Sequence, residues 1–325
     1  MNIKIGSREI GEGQPPYIVA EIGSNWQTFE DCITSINLAK NCGADGVKFQ
    51  LYNAPALYGN VPPELFPEGV MDPSWIPKLK THCDAMGIEF MCSAFSPELL
   101  EVVNPYVNAH KVASAELTHV RMLQKLAQYK KPVILSTGAS GDEDIKRALA
   151  ALGCCPVILL YCVAAYPARS VRLDHIDDLR NRFGHLVGFS DHTTDTYTSP
   201  SCAIEKHRAC LIEKHVNFVD VRGPDSAHSL STEEFRNMVQ GLKGVRSLAR
   251  QSPEERDMLI RHNRRIIAIR DIKPGEQLIE GKTHGIFRSL REDTHAFSPW
   301  MADEINGRTA LKEIQAGCGI GPGDV

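Results

Sequence analysis

Three pairs of polar side chains stand out by type and spacing: Lys48 with Gln50, Ser190 with His192, and Glu213 with His215, each two residues apart in a largely apolar run. In an extended strand successive side chains alternate sides, so each pair shares a face, while Lys214 in LIEKHVNF (211–218) points to the other. Two histidines ending adjacent strands bring neutral imidazoles to one rim, where Mn, Fe, Co or Zn can be held. With no obvious third protein ligand, such a site is open to water or substrate oxygen and therefore catalytic in type. Lys48 and Lys111 leave two chemistries open. Either lysine suits a Schiff base, or the two together with Ser114, Ser136 and Ser190 form a fixed cradle for phosphate or carboxylate. The plain alternative is structural: core histidines with satisfied hydrogen bonds, and lysines ion-paired at strand ends.

Positioning these residues requires strands that end together. Runs rich in aliphatic and β-branched residues recur at 17–23, 46–52, 89–95, 109–114, 132–138, 157–166, 185–192 and 209–218. Between them lie helically spaced segments such as 32–40, 117–129 and 235–245, two of them opened by capping boxes, Ser140 with Glu143 and Ser231 with Glu234. Strands that alternate with helices and are apolar nearly throughout predict a parallel sheet covered on both faces, and eight such units match a closed (β/α)8 TIM barrel. An open doubly wound sheet competes, but the first turn, EIGSNWQ, lacks its glycine-rich phosphate fingerprint. In a barrel the active site lies at the carboxyl ends of the strands. Glu21, Lys48, Gln50, Lys111, Ser114, Ser136, Tyr166, Ser190, His192, Glu213 and His215 all fall late in their runs, drawn from seven of the eight strands. A Pro- and Gly-rich connection, 53–74, has the length of a lid or binding loop.

The pattern changes after about residue 250. A charged segment, 251–264, reads as a linker between a barrel at 1–250 and a small β-rich domain at 265–325 with turn signals KPGE and GPGD. The net charge of −4 and the lack of a clustered basic surface argue against a nucleic-acid partner. No window is apolar enough to span a bilayer, no secretory leader is visible, and the ten scattered cysteines read as reduced core residues, so the expected location is cytoplasmic.

The stretches IVAEIGSNW, AKNCGADGVKFQ, KVASAE, VILSTGAS, GFSDHTTD and IEKHVNFVDVRGPDSAHSL resemble, in order and spacing, the sialic acid synthase (N-acetylneuraminate synthase) family, and the tail resembles its antifreeze-like (SAF) domain. The resemblance implies condensation of phosphoenolpyruvate with an open-chain N-acetylated hexosamine, giving a nine-carbon 2-keto acid and phosphate. It implies a divalent metal, Mn2+ before Mg2+ or Co2+, on His192 and His215. Lys48, Lys111, Ser114, Ser136 and Ser190 then match positions that hold phosphoenolpyruvate. Glu21, Gln50, Tyr166, Glu213 and Asp225 match positions around the sugar and the reacting carbons. A domain-swapped homodimer is implied too, with Arg291, or alternatively Arg288, reaching the partner's sugar. Two departures concern the sugar: Trp26 stands where the family writes histidine, and Ala164 where it often has asparagine. They predict a different acceptor, such as a diamino-dideoxy hexose. Two rival readings are a Schiff-base class I aldolase and a homologue that binds phosphoenolpyruvate or sugar without turnover.

Overall fold

The computed structural model describes residues 2–11, 13–53, 70–223, 225–248, 264–288 and 295–325. It divides into two compact units, Met1–Ser247 and Leu248–Val325. The first opens with an antiparallel hairpin, β1 (Asn2–Ile5) and β2 (Arg8–Gly11). Eight parallel strands then close into a barrel: β3 (Tyr17–Gly23), β4 (Gly46–Leu51), β5 (Glu89–Ala94), β6 (His110–Val112), β7 (Val133–Ser136), β8 (Val157–Tyr161), β9 (Leu186–Asp191) and β10 (Leu211–His215). A helix follows each strand in turn: α1 (Phe29–Cys42), α2 (Ile76–Met86), α3 (Pro97–Val103), α4 (Val120–Tyr129), α5 (Asp142–Leu152), α6 (His175–Phe183), α7 (Thr198–Glu205) and α8 (Thr232–Leu248). The unit is the (β/α)8 barrel that the alternation predicts. None of the described helices is long and apolar enough to cross a membrane.

Strand parity divides the core in two. Residues such as Ile18, Val47, Phe90, Leu135, Leu159, Phe189 and Ile212 face the helices in one large cluster. Tyr17, Val19, Met91, Ile134, Ile158, Leu160 and Leu211 point inward and pack on Ile3, Ile5 and Ile10 of the hairpin, which fills the amino-terminal end of the barrel. Gly188 belongs to the inward set. A Cβ there would lie 2.6 Å from the Leu211 carbonyl oxygen, so the close approach admits only glycine.

The helix starts follow local chemistry, with one shift. Ser231 and Glu234 form the expected box at the start of α8: the Ser231 N–H donates to Glu234 Oε2 at 2.8 Å and the Glu234 N–H donates to Ser231 Oγ at 3.4 Å. At α5 the cap lies one residue later than the sequence predicts. Gly141 N–H donates to Asp144 Oδ2 at 3.2 Å, while the Ser140 hydroxyl is buried without a partner. Of the long 53–74 connection, residues 54–69 lie outside the described residues, as does the expected linker apart from Arg264.

His110, facing the helices from β6, stacks on Tyr129 with ring centroids 5.5 Å apart and leaves Nδ1 buried without a partner. Burial, reinforced by Lys131, lowers its pKa from 6.5 to about 4. The folded chain thus keeps the ring neutral where the unfolded chain takes up a proton. Stability is full above pH 6.5 and falls as pH drops toward 4, by roughly 3 kcal/mol at most. Urea titrations of wild type and His110→Gln across this window are expected to converge at acid pH; parallel curves would refute the assignment.

In the second unit β11 (Arg264–Ala268) pairs antiparallel with β12 (His284–Arg288), and bridges such as Ile272 to Ile314 and Gln277 to Thr309 extend the β pairing. Ile266, Ile272, Leu278, Phe297, Ile314 and Ile320 form its own small core.

Candidate active site

Barrel register assembles the polar residues at the carboxyl ends of the strands. Glu21 is paired with Lys48 on one side and His215 on the other, Glu213 with Ser190, and Ser93 with both Gln50 and Lys111. Two buried lysines and two buried glutamates meet in the lumen. Lys48 Nζ lies 2.5 Å from Glu21 Oε2, an ionic contact off the hydrogen-bonding direction, and 3.6 Å from Glu213 Oε1. Lys111 Nζ also lies 3.6 Å from Glu213 Oε1, to which Ser190 Oγ donates at 3.1 Å. Gln50 Nε2 donates to Glu21 Oε1 at 2.9 Å, and Lys48 Nζ to Ser93 Oγ at 3.3 Å.

Ser93 is a residue that the sequence reading missed. It supplies the one strand that had seemed to carry no late polar residue, and its inward parity with Met91 was the available signal.

The two carboxylates are driven apart electrostatically. Burial and repulsion by Glu213 raise Glu21 to about 6 against the pull of Lys48. Burial would raise Glu213 as well, but Lys111 and Lys48 outweigh it and hold that carboxyl below its ordinary value. Paired groups with diverging proton affinities are the pattern of divided acid–base roles. Burial lowers Lys111, whereas for Lys48 the burial penalty is overcome by Glu21 and Glu213, which raise it.

Beside this cluster sits a rim of aromatic rings. His192 and His215 have centroids 5.5 Å apart, and Tyr166, half exposed, stacks on His192 at 4.2 Å. His192 Nδ1 donates to the Val163 carbonyl at 2.7 Å, which fixes the tautomer and leaves Nε2 with a lone pair. A third histidine, His228, was not singled out in the sequence. Its ring lies 4.8 Å from that of His215 and 4.9 Å from that of Tyr166. It stands three residues after Asp225 at the end of a short 3-10 turn (Ser226–His228), and that spacing was its only signal.

Ser114 Oγ lies 3.0 Å from Cys162 Sγ and accepts from the Gly138 N–H at 3.2 Å, and Ser136 is buried at the end of β7. Ala164 is exposed. Arg291 lies outside the described residues, and Arg288 is described only through its backbone in β12. Trp26, expected beside the sugar, is instead buried. Its indole packs edge-on against Trp75 at 5.4 Å and donates to the Gly23 carbonyl at 3.2 Å, within the cluster between barrel and helices.

The donors present suit a divalent cation. His215 Nδ1 and His228 Nε2 are buried without hydrogen-bond partners, and burial pushes both imidazoles below their ordinary pKa, keeping them neutral and able to bind metal.

A parallel barrel whose carboxyl-end rim joins buried lysines, carboxylates of split proton affinity and metal-competent imidazoles defines a barrel enzyme with its site at the strand ends. Known proteins narrow the class. The chain belongs to the NeuB family, which matches residues 35–253, and so is a transferase of the sialic acid synthase type. It is 36% identical over 291 residues to the uncharacterized protein MJ1065 of Methanocaldococcus jannaschii, covering 85% of this chain and 86% of that protein. It is 28% identical to the pseudaminic acid synthase of Helicobacter pylori, covering 96% and 98%. Among solved structures, the N-acetylneuraminic acid (sialic acid) synthetase of Leptospira borgpetersenii superposes with a TM-score of 0.74 at 26% identity, over 80% of this chain and 95% of that one.

Proposed function

We propose that this chain condenses phosphoenolpyruvate with an open-chain N-acetylated amino or diamino hexose, forming a nine-carbon 2-keto acid and inorganic phosphate. The observation that carries this reading is the placement of Lys48 and Lys111 on either side of Glu213, beside the histidine rim. Lys48, Lys111, Ser114, Ser136 and Ser190 hold the carboxylate and phosphate of the enol ester by charge and hydrogen bonding. A divalent metal at the imidazoles supplies Lewis acidity toward the aldehyde oxygen of the sugar.

Carbon 3 of the enol ester then bonds to the aldehyde carbon, and the aldehyde oxygen takes a proton. Water adds at carbon 2, and Glu21, the carboxylate with the raised proton affinity, accepts the proton that this water loses, which balances the one taken up by the aldehyde oxygen. Glu213 stays ionised between the lysines, an anion placed to offset the positive charge that develops at carbon 2. Cleavage of the bond from carbon 2 to the phosphate oxygen releases phosphate into the lysine and serine cradle, as the new carbon 2 hydroxyl passes its proton to the departing phosphate and becomes the keto group. Tyr166 and Gln50 line the side on which the sugar enters. We read the second unit as an antifreeze-like domain and the working enzyme as a swapped homodimer, on the resemblance of the tail alone.

The test is phosphate release from phosphoenolpyruvate and Mn2+ with a panel of hexosamines, the product being read by mass spectrometry. Expected are release that depends on the sugar, loss of release on chelation, and recovery on adding metal back. Full activity in metal-free enzyme would sink the metal role, and N-acetylmannosamine as clearly the best substrate would refute a diamino-sugar acceptor. A pyruvate adduct trapped by borohydride on Lys48 or Lys111 would assign the aldolase instead.

A further inference from the structure

We infer that Ser114, Gly138 and Cys162 form one hydrogen-bonded unit that aims the Ser114 hydroxyl at the bound enol ester, so that Cys162 and the Gly138 N–H are positioning groups of the reaction. The inference rests on the phosphoenolpyruvate reading above and gives a role to two groups that this reading leaves unused.

The unit spans three successive strand ends. Ser114 opens the short 3-10 turn Ser114–Glu116 just beyond β6, Gly138 lies just beyond β7, and Cys162 directly follows β8. Ser114 Oγ lies 3.0 Å from Cys162 Sγ and accepts from the Gly138 N–H at 3.2 Å. Gly138 passes tightly over the thiol: a Cβ there would lie 2.5 Å from Cys162 Sγ and 2.9 Å from the Cys162 carbonyl oxygen. Thr137 holds that approach, since its N–H and its hydroxyl both donate to the Leu160 carbonyl at 3.0 Å. The pairing of β6 with β7 and of β7 with β8 fixes the spacing of all three groups.

The direction of the hydrogens follows from counting them. A serine hydroxyl has one hydrogen to give and two lone pairs to fill. The Gly138 N–H fills one. Burial pushes the Cys162 thiol above its ordinary range, against the pull of Ser114, Lys111 and the Gly138 N–H, so the sulfur keeps its hydrogen and can fill the other. The Ser114 hydrogen is then free to leave the unit. Cys162 is enclosed while Ser114 is only half-buried, so the open direction is the serine's. A phosphate or carboxylate oxygen is a far stronger acceptor than sulfur, and the hydrogen turns to it when the ester binds. Linked hydrogen bonds polarise one another, so donation into Ser114 strengthens its donation outward.

The experiment is phosphoenolpyruvate affinity by titration calorimetry on the full chain with Mn2+ and no sugar, followed by KM for each substrate. Wild type, Cys162→Ala, Cys162→Ser, Ser114→Ala and the double variant Cys162→Ala with Ser114→Ala are compared, with circular dichroism confirming that each is folded. Cys162→Ala is expected to bind phosphoenolpyruvate about tenfold more weakly, the scale of one hydrogen bond, and to raise its KM while that of the sugar stays put. Cys162→Ser keeps a donor and should stay within about twofold of wild type. The double variant should be no weaker than Ser114→Ala, because the thiol acts through that hydroxyl. Wild-type affinity in Cys162→Ala, a serine variant as weak as the alanine one, or losses that simply add in the double variant would each overturn the inference while leaving the reaction intact. Failure of wild type to bind phosphoenolpyruvate would instead overturn the reading on which it rests.

Discussion

Glu213→Gln is expected to lower kcat/KM for phosphoenolpyruvate by about 1,000-fold, some 4 kcal/mol of transition-state stabilisation. The amide keeps the side chain's shape and can still accept from Ser190, but removes the one charge that faces both lysines. Lys111 suffers most, because burial already lowers its pKa and Glu213 is the strongest influence holding its proton in place. Its partial neutralisation would weaken the anion cradle that we propose, so KM should rise while kcat falls. Steady-state kinetics on folded variant protein checks this, and a loss of less than tenfold would remove Glu213 from the mechanism.

The second large effect is on stability. Lys214→Met is expected to cost about 3–5 kcal/mol in urea unfolding, the usual consequence of breaking a buried ion pair on one side. Lys214 is fully buried, with Nζ 2.7 Å from Asp191 Oδ2, 2.6 Å from the Thr193 carbonyl and 2.9 Å from the Asp195 carbonyl. It ties the loop that follows His192 to the strand that carries His215. Adding Asp191→Leu should recover only part of the loss, since the two carbonyls stay unmet. An exposed pair such as Lys146 with Glu143 offers a contrast, since solvent screens both charges and little stability is lost with them. A Lys214→Met variant within 1 kcal/mol of wild type would show that the pair is dispensable.

The barrel was legible because its strands are buried on both faces, which writes their positions as apolar runs whatever the tertiary detail. The inward pairing of Glu213 with His215 followed from a period of two, which no packing choice alters. What escaped was set by distant partners. Trp26 lies five residues after Glu21 and reads as part of the same mouth, yet Trp75 draws the indole into the core. His228 was overlooked because a tight turn has no period to reveal it. The cap of α5 slipped by a residue because Asp144 competes with Glu143 for the role, and nothing local decides between them.

All five residues of β10 are buried, with chemistry on one side and the Lys214 ion pair or helix packing on the other. The strand has no idle face on which a substitution can accumulate without harm, and the same holds for β8 and β9, whose residues are likewise buried throughout. Divergence toward a new acceptor sugar therefore has little room in the barrel wall. It falls to the segments after the strands, where exposed positions such as Ala164 and Tyr166 can vary while the machinery beneath stays fixed.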